Sequence, residues 1–160
     1  MLTMTDANVV WVSGAGSGMG RASAVELARG GRRLALSGRR PAALEETAEL
    51  VRQAGGEALV LPLDVGREDA LPVARAIVGQ WGRIDALVLA AGLNTPKRMW
   101  ADQSRAEFEH ILATNTLGVV RLIDAALPSL RESRGVVVVI SSYSGWAYSP
   151  MAGVAYGASK

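Results

Sequence analysis

The 160-residue sequence has no cysteine and a single histidine, His110. Without cysteine there is no disulfide framework, no thiolate nucleophile and no Cys-based zinc site, and one imidazole cannot build a multi-histidine metal centre, so no metal is expected. A Ser-His-Asp triad would have to use His110, and no G-x-S-x-G elbow accompanies it. Charge of one sign is also scarce. Seventeen Lys and Arg against 15 Asp and Glu leave a formal charge of +2, with the basic residues scattered, so nucleic acid is not expected as a partner. Residues 1–8 lack the basic region and apolar stretch of a signal peptide, and no segment approaches the ~20 apolar residues of a membrane span. A membrane partner is therefore not expected, and a cytoplasmic location is the default. Repeats, low-complexity runs and Pro-rich linkers are missing too, which points to one domain over residues 1–160. What remains is 49% hydrophobic and 20% charged, the composition of a folded α/β or α+β domain.

Short apolar runs of strand length alternate with helical segments. Residues 9–12 read as a strand, followed by a Gly-rich turn and a helix over 19–29. Residues 34–37 read as a second strand. Pro41 at a helix start opens a helix over 42–54 that stops at Gly55-Gly56. A third strand over 58–63, a helix over 68–81 with Pro72 in its first turn, and a fourth strand over 84–90 follow. Ser104 with Glu107 three residues on is a capping-box pattern, opening the longest helix, which runs to about Arg131 and is bent or frayed by Pro128. Residues 136–140 are five consecutive β-branched residues without polar alternation, as in strands buried on both faces. This order predicts an α/β fold, a doubly wound parallel sheet with right-handed crossovers. Ligands in that architecture sit at the carboxyl ends of the strands, beside the switch in strand order.

The first strand runs through Ser13 into Gly14-Ala15-Gly16-Ser17-Gly18-Met19-Gly20 and then directly into a helix. Such a turn allows backbone N–H groups to approach a phosphate at the positive helix end; the plainer reading is a flexible turn. No Gly-Lys-Ser/Thr follows, so it is not an NTPase P-loop. The glycine spacing, G-x-x-x-G-x-G, departs from the ordinary dinucleotide fingerprint. After the second strand stands Gly38-Arg39-Arg40 with no acid. An acid there binds a ribose 2′-hydroxyl whereas an Arg accommodates a 2′-phosphate, which favours NADP over NAD; the alternative is a pair of solvated loop arginines. Asp64 either reaches an adenine or caps the next helix. Asn115 falls in the apolar stripe of Phe108, Ile111, Leu112, Val119, Leu122 and Ile123, where an amide needs partners. It is either a satisfied structural amide or a site residue. His110 falls off that stripe, as a surface or rim residue.

The last segment is the most specific. The fifth strand ends at Ser141-Ser142, and Tyr156 and Lys160 are spaced i, i+4, so a helix puts both on one face. An ammonium beside a phenol favours phenolate and tunes the Tyr toward acid/base work, and a Ser hydroxyl at the strand end can hydrogen-bond a substrate oxygen.

With these motifs in this order, the chain resembles the short-chain dehydrogenase/reductase family, in the branch with T-G-x-x-x-G-x-G and Y-x-x-x-K. Ser13 stands for the Thr, and Gly14, Gly18 and Gly20 match. The resemblance implies a Rossmann-like fold, NADP as cofactor with NAD possible, an alcohol or carbonyl substrate, and a homo-oligomer (dimer or tetramer). It implies Asn115, Ser142, Tyr156 and Lys160 as the catalytic set. Tyr156 would exchange a proton with the substrate oxygen, Ser142 would hold that oxygen, Lys160 would bind the nicotinamide ribose and lower the Tyr pKa, and Asn115 would support a water-linked relay. The implied cofactor contacts are Gly14, Gly16, Ser17, Gly18, Met19, Gly20, Arg39, Asp64, Val65, Ala90, Ala91 and Gly92, joined by Tyr156 and Lys160. Ser142 is chosen over Ser141 and Ser144 because Gly145 completes S-x-x-G.

One departure matters: the family's N-N-A-G after the fourth strand reads Leu89-Ala90-Ala91-Gly92, so its side-chain amides are absent. That leaves as an alternative a nucleotide-binding scaffold or sensor with weak turnover. An epimerase or dehydratase is the further alternative, though such relatives carry G-x-x-G-x-x-G. The segment 143–155, with Trp146, Tyr148 and Met151, supplies candidate substrate contacts without identifying the substrate. The chain stops at Lys160 with five of roughly six strands present, so the expectation is the amino-terminal part of a longer enzyme, with 136–140 left as an uncovered apolar edge.

Overall fold

The computed structural model describes residues 8–160; residues 1–7, most of the segment read above as lacking signal character, lie outside the described residues. The elements alternate: β1 (Val9–Ser13), α1 (Gly18–Ala28), β2 (Arg33–Ser37), α2 (Pro41–Gln53), β3 (Glu57–Val60), α3 (Leu71–Trp81), β4 (Ala86–Leu89), α4 (Arg105–Leu112), α5 (Gly118–Ser133), β5 (Val136–Val139) and α6 (Val154–Ala158). The five strands form one parallel sheet in the order β3-β2-β1-β4-β5. Strand order therefore reverses between β1 and β4, which pair from Val10 with Ala86 to Ser13 with Leu89. A crevice opens at such a reversal because the chain leaves the two strands toward opposite faces.

Every residue of β1 is buried. Alternate side chains divide between two cores: Val9 and Trp11 meet Ile77 of α3 and Leu122, Ala126 and Leu130 of α5, whereas Val10 and Val12 meet Ala24 and Ala28 of α1 and Leu44, Ala48 and Val51 of α2. This is the covering that continuous apolar strands require. The buried Trp11 indole N–H donates to Ser37 Oγ at 2.9 Å, satisfying the one polar atom that so large a side chain carries into the core.

Several boundaries differ from expectation. β3 ends at Val60 and α3 begins at Leu71, so 61–70 is an extended loop and turn. Pro72 does sit in the first turn of α3. The capping box at Ser104 and Glu107 is formed in both directions. The helix that follows is not uniform. One π-type turn, Ala113–Leu117, separates α4 from α5. Beyond it the buried positions are Gly118, Leu122, Ala126 and Leu130, and Gly118 lies so close to Val65 that a Cβ there would sit 2.9 Å from Val65 Cγ2. Pro128 is exposed and α5 continues past it to Ser133.

Two expectations need correction. The continuous helical run Arg105–Ser133, 29 residues, is long and apolar enough by length and composition to cross a membrane; in this fold Leu122, Ala126 and Leu130 pack on the sheet. The β-branched run at 136–140 was read as buried on both faces, yet all four residues of β5 are exposed. β5 pairs with β4 on one side and has no strand on the other among the described residues. Its neighbour-free edge leaves the valines accessible, as the uncovered-edge expectation had it.

Candidate active site

The turn after β1 and the loop after β4 face each other across the strand reversal. Gly14 adopts φ 67, and a Cβ there would lie 2.7 Å from Ala91 N and 2.8 Å from the Ala90 carbonyl. Gly20, in the first turn of α1, is packed on the Gly14 carbonyl, which leaves no room for a side chain. The turn is thus drawn against both α1 and the β4 loop. Gly18 also has positive φ, 53, but nothing lies within 4 Å of its Cβ direction, so that side of the turn is open.

The resulting cleft has a volume of about 260 Å³. It is lined by all the expected cofactor residues of the Gly14–Met19 turn, by Arg39, Asp64 and Val65, and by Ala90, Ala91 and Gly92. Gly20 lies behind the wall rather than in it. Asp64 is half-buried and its Oδ1 accepts from Gly66 N–H at 3.0 Å. It does not cap α3, whose Leu71 N–H donates to Asp69 Oδ1, so of its two readings only the cleft position remains. Arg39 is exposed on the rim. Arg40 is tied in more closely, donating from Nη2 to Ser17 Oγ at 3.2 Å.

The loop after β4, which lacks side-chain amides of its own, is held through its backbone. Ser13 Oγ accepts from Ala91 N–H at 3.3 Å, and Asn115 grips Leu93 from both sides: its Oδ1 accepts Leu93 N–H at 2.8 Å and its Nδ2 donates to the Leu93 carbonyl at 2.9 Å. The same Nδ2 donates to Ser159 Oγ at 2.9 Å. Asn115 is thereby a satisfied buried amide that joins the loop to α6. Its neighbour Thr114 was not singled out by sequence. Thr114 lines the cleft, while its Oγ1 is buried against Gly66 with no partner among the described residues. The signal available was only adjacency to Asn115.

A second cleft, of about 520 Å³, adjoins the first, with Met19, Ala90, Gly92 and Leu93 in both walls. Tyr156 and Lys160 open into it. α6 ends at Ala158, but the i, i+4 spacing still brings Lys160 Nζ 5.7 Å from the centre of the Tyr156 ring. Lys160 Nζ also donates to the Ile140 carbonyl at the end of β5, at 2.9 Å. Partial burial penalises the ammonium and lowers the Lys160 pKa from its ordinary value. Gly92 keeps this corner open: a Cβ there would sit 3.4 Å from Lys160 Nζ and 3.5 Å from Asn115 Oδ1.

The serines divide differently from expectation. Ser141 lines the second cleft; Ser142 does not, and its Oγ accepts from Ser144 N–H at 3.2 Å, capping the 3-10 turn Tyr143–Gly145. Ser141 uses its hydroxyl proton on the Lys160 carbonyl at 3.0 Å, whereas the Ser142 hydroxyl proton has no acceptor among the described residues. Gly145 lets that turn lie on Lys160, since a Cβ there would come 3.1 Å from Lys160 Cβ. His110 is half-buried on α4 and lines neither cleft. Among the described residues no group of three or more His, Cys, Asp or Glu is placed to hold a metal.

A glycine cradle and a rim of arginines fit a dinucleotide. Residues 8–160 match the family model described as short chain dehydrogenase. An oxidoreductase of Listeria innocua is 34% identical over 154 residues, covering 95% of this chain and 61% of that protein. The alcohol dehydrogenase of the archaeon Thermococcus sibiricus, complexed with 5-hydroxy-NADP, superposes with a TM-score of 0.89 at 33% identity, over 96% of this chain and 66% of its own. An NAD+-bound xylitol dehydrogenase superposes with a TM-score of 0.91 at 30% identity, over 99% of this chain and 61% of its own. The chain thus spans about three fifths of the length of the relatives it matches. With a family match across nearly its whole length and the parallel five-stranded fold, the chain belongs to the short-chain dehydrogenase/reductase family.

Proposed function

We propose that residues 1–160 form a single NADP-binding domain of an alcohol dehydrogenase or carbonyl reductase, with Tyr156 as its general acid/base. The observation that carries this is the adjacency of the two clefts: the glycine cradle and the corner where Tyr156 and Lys160 meet share Gly92 and its neighbours as wall. The turn from Gly14 to Gly20 would hold the pyrophosphate at the start of α1, where unpaired N–H groups and the helix dipole favour negative charge. Asp64 and Val65 would flank the adenine end. Arg39 and Arg40, with no acid after β2, favour a 2′-phosphate over a free 2′-hydroxyl. A bound nicotinamide supplies or accepts the hydride at the substrate carbon.

The chain's own residues handle the proton. The Tyr156 hydroxyl gives it to, or takes it from, the substrate oxygen, and the neighbouring ammonium of Lys160 favours the phenolate that forms. Ser142 lies outside the Tyr156 cleft and caps the 143–145 turn, so its free hydroxyl proton would reach the same oxygen only after that turn shifts. Asn115 holds the β4 loop and α6 in register, so that Lys160 and the cradle keep their spacing. The rival reading, a nucleotide-binding sensor with weak turnover, drew on the missing N-N-A-G amides. Here Ser13 and Asn115 hold the backbone of that turn, which favours the catalytic reading.

The test is NADPH oxidation across a panel of ketones. Tyr156→Phe is expected to lower kcat by roughly 10²- to 10⁴-fold, the contribution of a positioned acid; unchanged turnover would refute the mechanism. Arg39→Ala combined with Arg40→Ala should reduce the preference for NADP over NAD. An unaltered ratio would sink the 2′-phosphate assignment.

A further inference from the structure

We propose that the substrate of this site carries a carboxylate, bound by Arg98, on an apolar body. The inference rests on the proposed oxidoreductase reading for the reacting group and adds the substrate class. Arg98 and Lys160 are the charged residues in the wall of the Tyr156 cleft, and no Asp or Glu lines it. Lys160 is already engaged with the Ile140 carbonyl and the Tyr156 ring. Arg98 is exposed, and no carboxylate among the described residues lies within ion-pair distance of it, whereas the adjacent Lys97 has Glu107 at 3.9 Å.

The guanidinium is nevertheless held in place. Its Nε donates to the Thr95 carbonyl at 3.3 Å and its Nη1 to the Met151 carbonyl. Those acceptors are neutral and leave the Nη2 edge without a partner among the described residues. The backbone beneath is fixed as well: Gly153, at φ 85, packs so closely that a Cβ there would sit 2.9 Å from Arg98 Cβ. Gly153 precedes α6, so the turn that carries Tyr156 also braces Arg98. A charged guanidinium held in this way loses little freedom when Nη2 donates to a carboxylate.

Of the other polar side chains in the wall, Ser149 keeps a neutral hydroxyl without a partner among the described residues, and Asn94 and Ser141 are already occupied. The Asn94 amide donates to the Ala152 carbonyl and accepts from Thr95 N–H, and Ser141 donates to Lys160. Met19, Leu93, Ile140 and Met151 make the remaining surface apolar. A ligand with a carbonyl or hydroxyl for Tyr156, a hydrocarbon body and a carboxylate for Arg98 satisfies all three, which describes oxo acids and hydroxy acids. The competing role for Arg98 is a staple that only ties 95–98 to Met151.

Two measurements on the whole protein decide it. The first compares kcat/KM with NADPH for 2-, 4- and 5-oxohexanoic acids and their methyl esters. The second measures calorimetric binding of hexanoate and hexanamide to NADP-loaded protein, which needs no turnover. At least one oxo acid should exceed its ester by roughly tenfold or more, the scale of a hydrogen bond to a charged group, and hexanoate should bind more tightly than hexanamide. Arg98→Met should bring both ratios toward one, and Arg98→Lys should restore part of them. No acid preference in either assay, or a loss in Arg98→Met that falls equally on acid and ester, would overturn the proposal and leave Arg98 a staple. Reduction of esters without acid preference refutes the carboxylate site alone. Absence of any reduction, with a hexanoate preference that Arg98→Met abolishes, refutes the oxidoreductase reading and supports the site.

Discussion

Replacing Asn115 with Leu removes a clamp while leaving the volume of the side chain nearly unchanged. Asn115 is 4% exposed, and its amide makes three hydrogen bonds, two to Leu93 and one to Ser159 Oγ. At about 0.5–1.5 kcal/mol net for each bond, the three together contribute roughly 1.5–4.5 kcal/mol. Leaving a buried donor or acceptor without a partner adds ~1–3 kcal/mol. Leu93 is only half-buried, so water recovers part of that, and ~3 kcal/mol is the expected loss. That is a large share of the ~5–15 kcal/mol stability of an ordinary domain. Urea titration should show a lower midpoint with unchanged slope, since the surface exposed on unfolding is the same. Amide exchange at Leu93 should accelerate more than exchange in β1, because the loop loses its anchor while the central strand keeps its ladder. Asn115→Asp keeps one acceptor but turns a carboxylate toward the Leu93 carbonyl, so its stability should improve as the pH falls and the new carboxyl protonates. A loss below ~0.5 kcal/mol in Asn115→Leu, the lower limit for even one of these bonds, would refute the clamp. A stable but inactive variant would place the role of Asn115 in the chemistry instead.

Gly14 and Gly31 form a matched pair, with φ 67 and 69, but only Gly14 has backbone within 3 Å of its Cβ direction. Gly31→Ala should cost only the left-handed penalty of ~1–2 kcal/mol, whereas Gly14→Ala should lower the melting temperature further and weaken NADPH binding; equal shifts would show the steric argument wrong. The Ser104 backbone N–H, then the Ser104 hydroxyl, hold the Glu107 carboxyl below its ordinary pKa. A carboxyl whose folded pKa is depressed stabilises fully above its unfolded value, ~4.3, and loses that contribution as the pH falls through the folded value. Glu107→Gln should therefore flatten the acid side of the stability profile below about that pH, with urea midpoints from neutral pH down to ~3 as the measurement; parallel profiles for the two proteins would refute it.

Some of this protein was legible because the responsible forces act over a few residues. The alternation of apolar runs with helical segments announced a parallel sheet, which forms, although the run at 136–140 that pointed to burial on both faces is the exposed one, while β1 is covered. Ser104 and Glu107 announced a helix start because their contact spans one turn. The Gly14–Gly20 spacing and the Tyr156–Lys160 interval were readable for the same reason. Element edges were less so: β3 is shorter than its apolar run, since Leu61 and Leu63 bond to Leu36 and Gly38 outside the regular ladder.

Sequence alone determined the class of fold, the glycine turn after β1 and the Tyr156–Lys160 interval, because each depends on periodicity or on a covalent interval. Only the tertiary structure decided what holds the site together. The grip of Asn115 on Leu93, the closure of Ser13 on Ala91 and the bracing of Arg98 by Met151 and Gly153 join residues distant in the chain. No local pattern encodes such contacts. They arise where buried or half-buried polar groups, displaced from water by the packing of the sheet and its helices, must find partners among whatever the fold has brought within reach.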